Sequence, residues 1–416
     1  MVPASRATTQ IDVDILDTRP SSKPNQLIER HSSGPPQVLQ KRRSKGYTRP
    51  SILGPDNVPL DEENPDLITP PSTDQGEVPN LKWPFSLSHN RLSEGGWARQ
   101  QNTQAMPAAL DMAGVNMRLK PGAIREMHWH NTAEWAYVLK GDIRISTITP
   151  DGQIFVGDVS EGDLWYFPEG NPHSIQAKNT TKDGAEFLLV FDSGTFSEDT
   201  TFLLTDWLAH VPKHVLAKNF GTGTDLSAFD HIPKEALYIF QATPPPSDPT
   251  KDMVIPNNTP VSYTYPLSKV KPVNCPGGTI KVVDSRTFAA SQKISAVEVT
   301  VNPGGMREMH WHPTQPEWSF FISGQARMTI FASTGNARTF DYQAGDVGYV
   351  PPSYGHYVEN TGNTTLKFLE VFRSGKFQDI SLTQWLALTP PALVKAHLGL
   401  PDEFIKNLSR VKQEVV

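Results

Sequence analysis

Histidines at alternate positions are the first feature of this 416-residue sequence that could do chemistry. His128 and His130 are separated by one residue, and His310 and His312 repeat that spacing. Because residues i and i+2 of a β-strand point to the same side, each pair predicts two imidazoles that face one point. Imidazole nitrogens are common metal ligands in proteins, so the spacing predicts a metal site at each pair.

A carboxylate and a third histidine complete each candidate site. Glu317 follows its histidine pair one residue later than Glu134 does, because Pro-Thr-Gln-Pro lengthens the turn, a change that a loop can absorb. The ligands predicted for the first site are His128, His130, Glu134 and His173, and those for the second site are His310, His312, Glu317 and His356.

Buried histidines with ordinary hydrogen bonds would be the simpler interpretation of any one of these side chains. Six of the chain's 12 histidines fall in this pattern, however, and the pattern occurs twice. A carboxylate buried beside three imidazoles is costly unless a cation compensates its charge. We therefore expect two metal ions per chain. The ligand types alone leave Mn, Fe, Zn, Ni and Cu open.

The region around the histidines is duplicated. The sequence PGAIREMHWH at residues 121–130 recurs as PGGMREMHWH at residues 303–312, and later Gly-Asp and Trp-Leu-Ala segments recur as well. A repeat of this kind predicts two copies of one folding unit.

Short β-strands are the elements that would position these ligands. From about residue 81 onward, segments rich in Val, Ile, Phe and Tyr alternate with Gly, Asn, Asp and Pro turns, which predicts an all-β protein with two tandem barrels. Residues 206–220 and 384–398 have helical apolar spacing, and we expect them to form helices that cap the barrels or pack between subunits.

Three regions are predicted along the chain. Residues 1–80 are rich in proline and poor in aromatic residues, which predicts a largely irregular tail. Residues 81–241 are predicted to form the first metal-binding domain, and residues 242–416 the second. The connecting sequence ATPPPSDP at residues 242–249 is typical of a stiff, extended linker.

Composition excludes several classes of function. The net charge of −6 gives no basic surface for nucleic acid, and no run approaches the roughly 18 apolar residues of a membrane span. Cys275 is the single cysteine, so no internal disulfide can form. The first residues lack the apolar stretch of a secretory signal, so we expect a cytoplasmic protein, or a secreted or cell-wall protein whose signal has been removed.

The two motifs resemble those of the bicupin family within the cupin superfamily. Within that family, the Arg-Glu-Met-His-Trp-His string and the Phe-x-x-Val-Phe-x-Ser-Gly block are similar to those of oxalate decarboxylases. The matching segments are Gly122 to Gly141 with Gly162 to His173, and Gly304 to Gly324 with Gly345 to Asn360.

This resemblance covers roughly residues 80–400. It implies two cupin barrels of the double-stranded β-helix, or jelly-roll, type, and two Mn²⁺ ions per chain. It also implies dioxygen as a co-catalyst, oxalate as the small-molecule substrate, formate and carbon dioxide as products, and a homo-oligomer, either a trimer or a hexamer.

Arginines precede both histidine pairs. Arg125 and Arg307 each lie three residues before the first histidine, where they would add positive charge beside the metal and favour a small dicarboxylate. The alternative is that each arginine pairs with the neighbouring glutamate, Glu126 or Glu308.

The two copies differ at two acidic residues. Glu198 lies in the segment SEDTT at residues 197–201, where the first copy carries three extra residues, and the resemblance implies that this segment is a lid whose glutamate handles a proton; the alternative is a solvated loop residue. Asp199 and Thr200 depart from the Asn-Ser pair of the family. Glu370 replaces Leu189 of the first copy, and it would be either a second proton donor or a partner of Arg307 in a structural ion pair.

Two other functions remain open at this point. An oxalate oxidase would use the same site but release hydrogen peroxide, if the lid fails to deliver its proton. A non-enzymatic storage or structural bicupin typically lacks some ligands, whereas all eight are present here.

Overall fold

The computed structural model of this chain describes residues 55–416. Most of the predicted tail, and the first residues on which the expectation about localisation rests, lie outside this range. Within the described residues, no helix is long and apolar enough to cross a lipid bilayer.

Antiparallel strands make up most of the described chain, which confirms the predicted all-β class. In the first half the strands are β1 (Lys82–Pro84), β2 (Arg91–Ser93), β3 (Gly96–Gln101), β4 (Ala113–Leu119), β5 (Ile124–Trp129), β6 (Glu134–Lys140), β7 (Asp142–Ile148), β8 (Ile154–Ser160), β9 (Leu164–Phe167), β10 (His173–Ala177), β11 (Ala185–Phe191), β12 (Phe202–Leu203) and β13 (Ile239–Phe240).

The second half repeats this order of strands. Its strands are β14 (Thr264–Tyr265), β15 (Val273–Cys275), β16 (Gly278–Val283), β17 (Ser295–Val301), β18 (Met306–Trp311), β19 (Glu317–Ser323), β20 (Gln325–Phe331), β21 (Ala337–Gln343), β22 (Asp346–Val350), β23 (Gly355–Asn360), β24 (Leu366–Phe372) and β25 (Ile380–Ser381).

Each copy folds into two facing antiparallel sheets. The first copy has a sheet in the order β14-β9-β6-β11-β4-β3-β2 and a second in the order β12-β5-β10-β7-β8, with β13 also on β5. The second copy has the orders β1-β22-β19-β24-β17-β16-β15 and β21-β20-β23-β18-β25. The central strands β11 and β24 are buried on both faces over most of their length, because one face lines the barrel and the other packs against neighbouring structure.

Two edge strands cross the boundary that the sequence predicts near residue 241. Strand β1 precedes the first barrel in the chain but pairs with β22 of the second barrel. Strand β14 follows the predicted boundary but pairs with β9 of the first barrel. Each barrel therefore receives an edge strand from outside its own predicted range.

The end of the predicted tail is ordered rather than irregular. It contains the helices α1 (Val58–Glu63) and α2 (Pro65–Ile68). Gln75 forms a β-bridge with Ala337, and the Asp74 carboxylate accepts hydrogen bonds from the backbone and hydroxyl of Thr339 at 2.9 and 2.7 Å. These contacts hold residues 58–80 against β21, and they join positions more than 250 residues apart in the sequence.

Each helix predicted after a barrel is two short helices. They are α3 (Leu204–Ala209) and α4 (Lys213–Phe220) in the first copy, and α5 (Leu382–Leu388) and α6 (Pro391–Leu398) in the second, followed by α7 (Asp402–Lys406). The breaks fall at Pro212 and Pro390, because proline cannot donate the helical hydrogen bond and disfavours a helical residue before it. α3 and α5 bury none of their side chains.

Candidate metal centres and the lid

Paired strands bring the first set of predicted ligands together. β5 and β10 run antiparallel with His128 opposite His173, while Glu134 begins β6 and His130 lies one residue beyond β5. All four side chains are buried, and their ligand atoms lie within 4.8 Å of one another. The structure therefore places these four predicted ligands around one point.

Backbone carbonyls fix the orientation of the three imidazoles. In each ring Nδ1–H donates to a backbone carbonyl oxygen at 2.6 to 2.8 Å. His128 donates to Glu126, His130 to Thr132 and His173 to Asn171. Because a carbonyl oxygen can only accept, the proton of each ring is on Nδ1. The lone pair of Nε2 is then free to bind a metal.

The Glu134 carboxylate lies between these rings. Its Oε2 is 3.3 Å from Nε2 of His130 and 3.6 Å from Nε2 of His173, while Oε1 accepts a 2.9 Å hydrogen bond from Nε1 of Trp165. The Nε2 lone pairs of His130 and His173 face this oxygen, so a cation bound between them would stabilise the ionised carboxylate.

The donor set fits a divalent first-row metal ion. Burial lowers the pKa of His128, and Arg125 lowers this pKa further, while burial also lowers the pKa of His173. These imidazoles are therefore neutral. Nε2 of His173 is buried without a hydrogen-bond partner among residues 55–416, and three imidazole nitrogens with one carboxylate form a recognised set for such ions.

The second site repeats this arrangement. Each Nδ1–H again donates to a backbone carbonyl oxygen, at 2.7 to 3.0 Å. His310 donates to Glu308, His312 to Gln378 and His356 to Tyr354. Oε2 of Glu317 lies 3.0 Å from Nε2 of both His312 and His356, and Ser319 donates to Oε1. These four buried ligands also lie within 4.8 Å of one another, as the sequence predicts.

The arginine of the first copy is fully buried and keeps two donors free. Nη2 of Arg125 donates to Oε2 of Glu198 at 3.0 Å and to the hydroxyl of Thr201 at 3.1 Å. Nε and Nη1 are buried and donate to no acceptor within the part of the chain that the structure describes. Glu126 instead accepts from the Thr205 and Tyr238 backbones, so the alternative pairing with Arg125 does not form.

The arginine of the second copy is equally buried, but acceptors occupy all of its nitrogens. Arg307 donates from Nε to Glu370 at 3.0 Å, from Nη2 to Asp379 at 2.6 Å and from Nη1 to the carbonyl of Glu414 at 3.3 Å. Glu308 accepts from Ser381 rather than from Arg307. Burial raises the pKa of Glu370, while Arg307 opposes that shift.

Asp379 is a site residue that the sequence analysis did not predict. It occupies the shorter counterpart of the lid segment and pairs with both Arg307 and Lys412. A comparison of the two segments after Phe196 and Phe377 could have found it, because an acidic residue follows each of these phenylalanines by two positions.

Glu198 is buried rather than solvated, despite its place in a loop. It begins a short 3₁₀ turn, Glu198–Thr200, that Ser197 caps by accepting from the Asp199 backbone at 3.2 Å. The Glu198 backbone N–H donates to Oε1 of Gln100 at 2.9 Å, and the Glu198 side chain is 5% exposed. The turn thus points this carboxylate inward to Arg125.

Tyr238 is a second residue that the sequence analysis missed. Its hydroxyl donates to Oε2 of Glu198 at 3.2 Å, and the Arg125 guanidinium lies 4.4 Å from the centre of its ring. Its backbone has a φ of 59°, which is rare outside glycine and holds the ring at this position. Burial, and then Glu198, raise the pKa of Tyr238, so the hydroxyl remains a donor.

The outer side of the lid carries a pair between partly exposed residues. Nη1 of Arg91 lies 3.1 Å from Oδ1 of Asp199, with 40% and 64% of the two side chains exposed. The Arg91 guanidinium also covers the Tyr238 ring at 3.6 Å. A cavity of about 680 Å³ adjoins this face. Its lining includes two arginines, Arg91 and Arg99, and two acidic residues, Glu198 and Asp199.

The sequence is similar to a known family over both halves. The cupin family matches residues 86–225 and again residues 266–406. Oxalate decarboxylase OxdC of Bacillus subtilis is 52% identical over 378 residues, which cover 90% of this chain and 96% of that protein. A probable oxalate decarboxylase of Arthroderma benhamiae is 44% identical, covering 87% and 90%.

Solved structures give the same result for the fold. A structure of Bacillus subtilis oxalate decarboxylase, described in a study of its Mn(II) centres, superposes with a TM-score of 0.85 and 50% identity. The superposition covers 89% of this chain and 98% of that one.

Proposed function

This chain belongs to the cupin family and is an oxalate decarboxylase with manganese as its metal, and we propose that its first metal site carries out the reaction. The overall conversion is oxalate monoanion to carbon dioxide and formate. The similarity to decarboxylases over nearly the whole chain favours this activity over oxalate oxidation.

The observation that carries the assignment to the first site is the difference between the two arginines. Arg125 has two buried donors without acceptors among the described residues, whereas Glu370, Asp379 and a backbone carbonyl occupy Arg307. A buried donor without a partner costs free energy, which a substrate carboxylate would recover on binding. Arg125 can therefore bind oxalate, whereas the donors of Arg307 are already used in hydrogen bonds within the protein.

The proposed ligands are His128, His130, Glu134 and His173 for the first ion, and His310, His312, Glu317 and His356 for the second. When bound, manganese supplies, with dioxygen as co-catalyst, the one-electron oxidation of the substrate that weakens its C–C bond. The chain's own residues bind the substrate, exclude water and move one proton.

Glu198 is the proposed group that moves this proton. The Glu198 carboxylate beside Arg125 takes the proton of the oxalate monoanion, and after carbon dioxide leaves it returns the proton to the remaining carbon atom. One proton enters with the substrate and one C–H bond forms, and the electron removed in the oxidation returns to the same carbon with the proton, so protons and electrons both balance. Arg125 and Tyr238, which both donate to Oε2, hold Glu198 in place.

Glu370 and Arg307 are proposed to stabilise the second site rather than to transfer a proton. Both are fully buried and bonded to each other, and Asp379 adds a second negative charge beside Arg307. Removal of either member of such a buried pair leaves an uncompensated charge, which strongly destabilises the fold.

Assembly into a homo-oligomer, either a trimer or a hexamer, is also proposed. Trp207 of α3 and Trp385 of α5 are 59% and 54% exposed, at matching positions of the two copies. Each contacts the tryptophan between its own histidine pair, Trp129 or Trp311, at 5.5 Å between ring centres. Large exposed aromatic surfaces favour burial against another subunit.

Product analysis tests the proposed reaction. Protein loaded with manganese and incubated with oxalate in air at mildly acidic pH should release formate as the main product, with little hydrogen peroxide in the same sample. Peroxide as the main product would contradict the proposal and indicate that Glu198 does not deliver its proton.

A further inference from the structure

Trp318 of the second barrel reaches into the first barrel. It follows the ligand Glu317 directly in β19 and is fully buried, and its Nε1–H donates to Oε1 of Gln101 in β3 at 2.7 Å. The ring lies on β4 at Gly114, where a Cβ atom would be 2.2 Å from Cζ2 of the indole. Glycine at this position is therefore required for the contact.

Gln101 belongs to a segment that holds the lid at several points. We call residues 100–103 the lid anchor. Within it, Gln100 binds the Glu198 backbone at 2.9 Å and the Ser197 hydroxyl at 3.2 Å. Asn102 donates to the carbonyl of Phe196 at 3.0 Å, and the Thr103 backbone donates to the carbonyl of Gly194 at 2.8 Å.

We propose that the hydrogen bond from Trp318 to Gln101 couples the second metal site to the lid of the first. Trp318 and Gln101 are positioning residues in this proposal, because they act on the proton step through the lid anchor. The proposal rests on the proposed role of Glu198.

The geometry of a strand explains the coupling. Glu317 and Trp318 are consecutive, so their side chains leave β19 on opposite faces: Glu317 faces the second metal site and Trp318 faces the first barrel. When Glu317 binds the second metal ion, it fixes the start of β19. The Trp318 indole and its acceptor Gln101 in β3 are then fixed as well. Loss of the indole N–H would leave the buried Gln101 oxygen without its donor and loosen the anchor.

The first copy lacks the reciprocal contact. Trp135 follows Glu134 in the same way and is fully buried, but its Nε1–H donates to no acceptor in the range 55–416. The second copy also lacks the three lid residues of the first. The coupling thus runs from the second site to the first lid, which gives the second metal site a role in the reaction at the first.

Trp318→Phe tests this inference, with Trp135→Phe as the matched control. Both remove one indole N–H next to a ligand glutamate and keep an aromatic ring. In Trp318→Phe we expect amide hydrogen exchange of residues 195–203 to become about fivefold faster, since one buried hydrogen bond is lost. The ratio of formate to peroxide should fall, while the manganese content stays at that of the unchanged protein.

Two further variants separate the possible failures. Gln101→Leu should accelerate lid exchange as Trp318→Phe does, and the double variant should add little to either. If Glu198→Gln leaves the product ratio unchanged, the proposed function of Glu198 is wrong, while the exchange data still test the coupling. Lid exchange in Trp318→Phe equal to that in Trp135→Phe would overturn the inference.

Discussion

Oε2 of Glu198 lies 3.0 Å from Nη2 of Arg125, in an ion pair that excludes solvent almost completely. The pair joins the lid to the residue that precedes the metal ligands, and it leaves the other nitrogens of Arg125 free for a substrate. If this segment acts as the proposed lid, we expect its closure over Arg125 and the preparation of the proposed anion site to occur together.

Glu198→Gln should reduce formate production about 100-fold or more, because the amide cannot carry the proton between substrate and product. Hydrogen peroxide should become the larger product, and the metal content should not change, since Glu198 is not a ligand. Formate and peroxide assays on the same sample check this. Glu161→Gln, on an exposed residue, is the control.

Arg125→Lys should lower kcat/KM for oxalate about 100-fold, because lysine cannot reproduce the planar set of donors that a carboxylate needs. Arg307→Lys should instead lower the melting temperature and leave much of the activity, because Arg307 bonds to two buried carboxylates. Steady-state kinetics and thermal unfolding of the two variants check the difference. Equal kinetic losses in both would argue for two active sites.

Glu134→Ala should remove the first metal ion and end formate production. Glu317→Ala should remove the second ion and keep formate production, with a lower formate to peroxide ratio. Each variant should retain about half of the manganese of the unchanged protein, measured by elemental analysis, since each alters one of the two ligand sets. Formate production by Glu134→Ala would place the reaction at the second site.

Asp199→Asn should have a small effect on turnover, below about fivefold, because the Arg91 to Asp199 pair is largely exposed and such pairs contribute at most about 1 kcal/mol. The difference from the unchanged protein should shrink further as salt is added. Rates measured from low to high ionic strength check this. A large effect that is independent of salt would show that Asp199 acts in the chemistry.

Asp66→Asn should flatten the pH dependence of stability. Burial raises the pKa of Asp66 above 3.8, so its stabilising contribution is full below that pH and is lost as pH rises through the higher folded pKa. Asparagine keeps the acceptor for the Asp341 backbone. The melting temperature of the variant, relative to the unchanged protein, should rise from about pH 4 to pH 7, whereas exposed Asp151→Asn should show no such trend.

The sequence predicts most of the metal sites and little of what surrounds them. The alternating histidine pairs follow from strand periodicity, which is a local property, and the repeat of the whole pattern, with one residue inserted before Glu317, predicts the remaining ligands. Tyr238, Asp379 and Gln100 were missed because their roles depend on contacts with residues 40 to 98 positions away, which no local pattern records.

The tail and the helices show the same limit. Residues 58–68 contain prolines that favour an irregular interpretation, yet contacts with β21 order them as α1 and α2. After each barrel the apolar spacing predicts one helix. The structure has two short helices there, because Pro212 and Pro390 interrupt the helical hydrogen bonds.

The exchange of β1 and β14 between the barrels has a consequence for the history of the gene. A duplicated unit can be lost again while each copy folds without the other. Once each barrel completes its sheet with a strand from outside its own range, deletion of either copy leaves an uncovered sheet edge, which invites aggregation. The exchange therefore makes the duplication hard to reverse, whether or not the arginine of the second copy binds substrate.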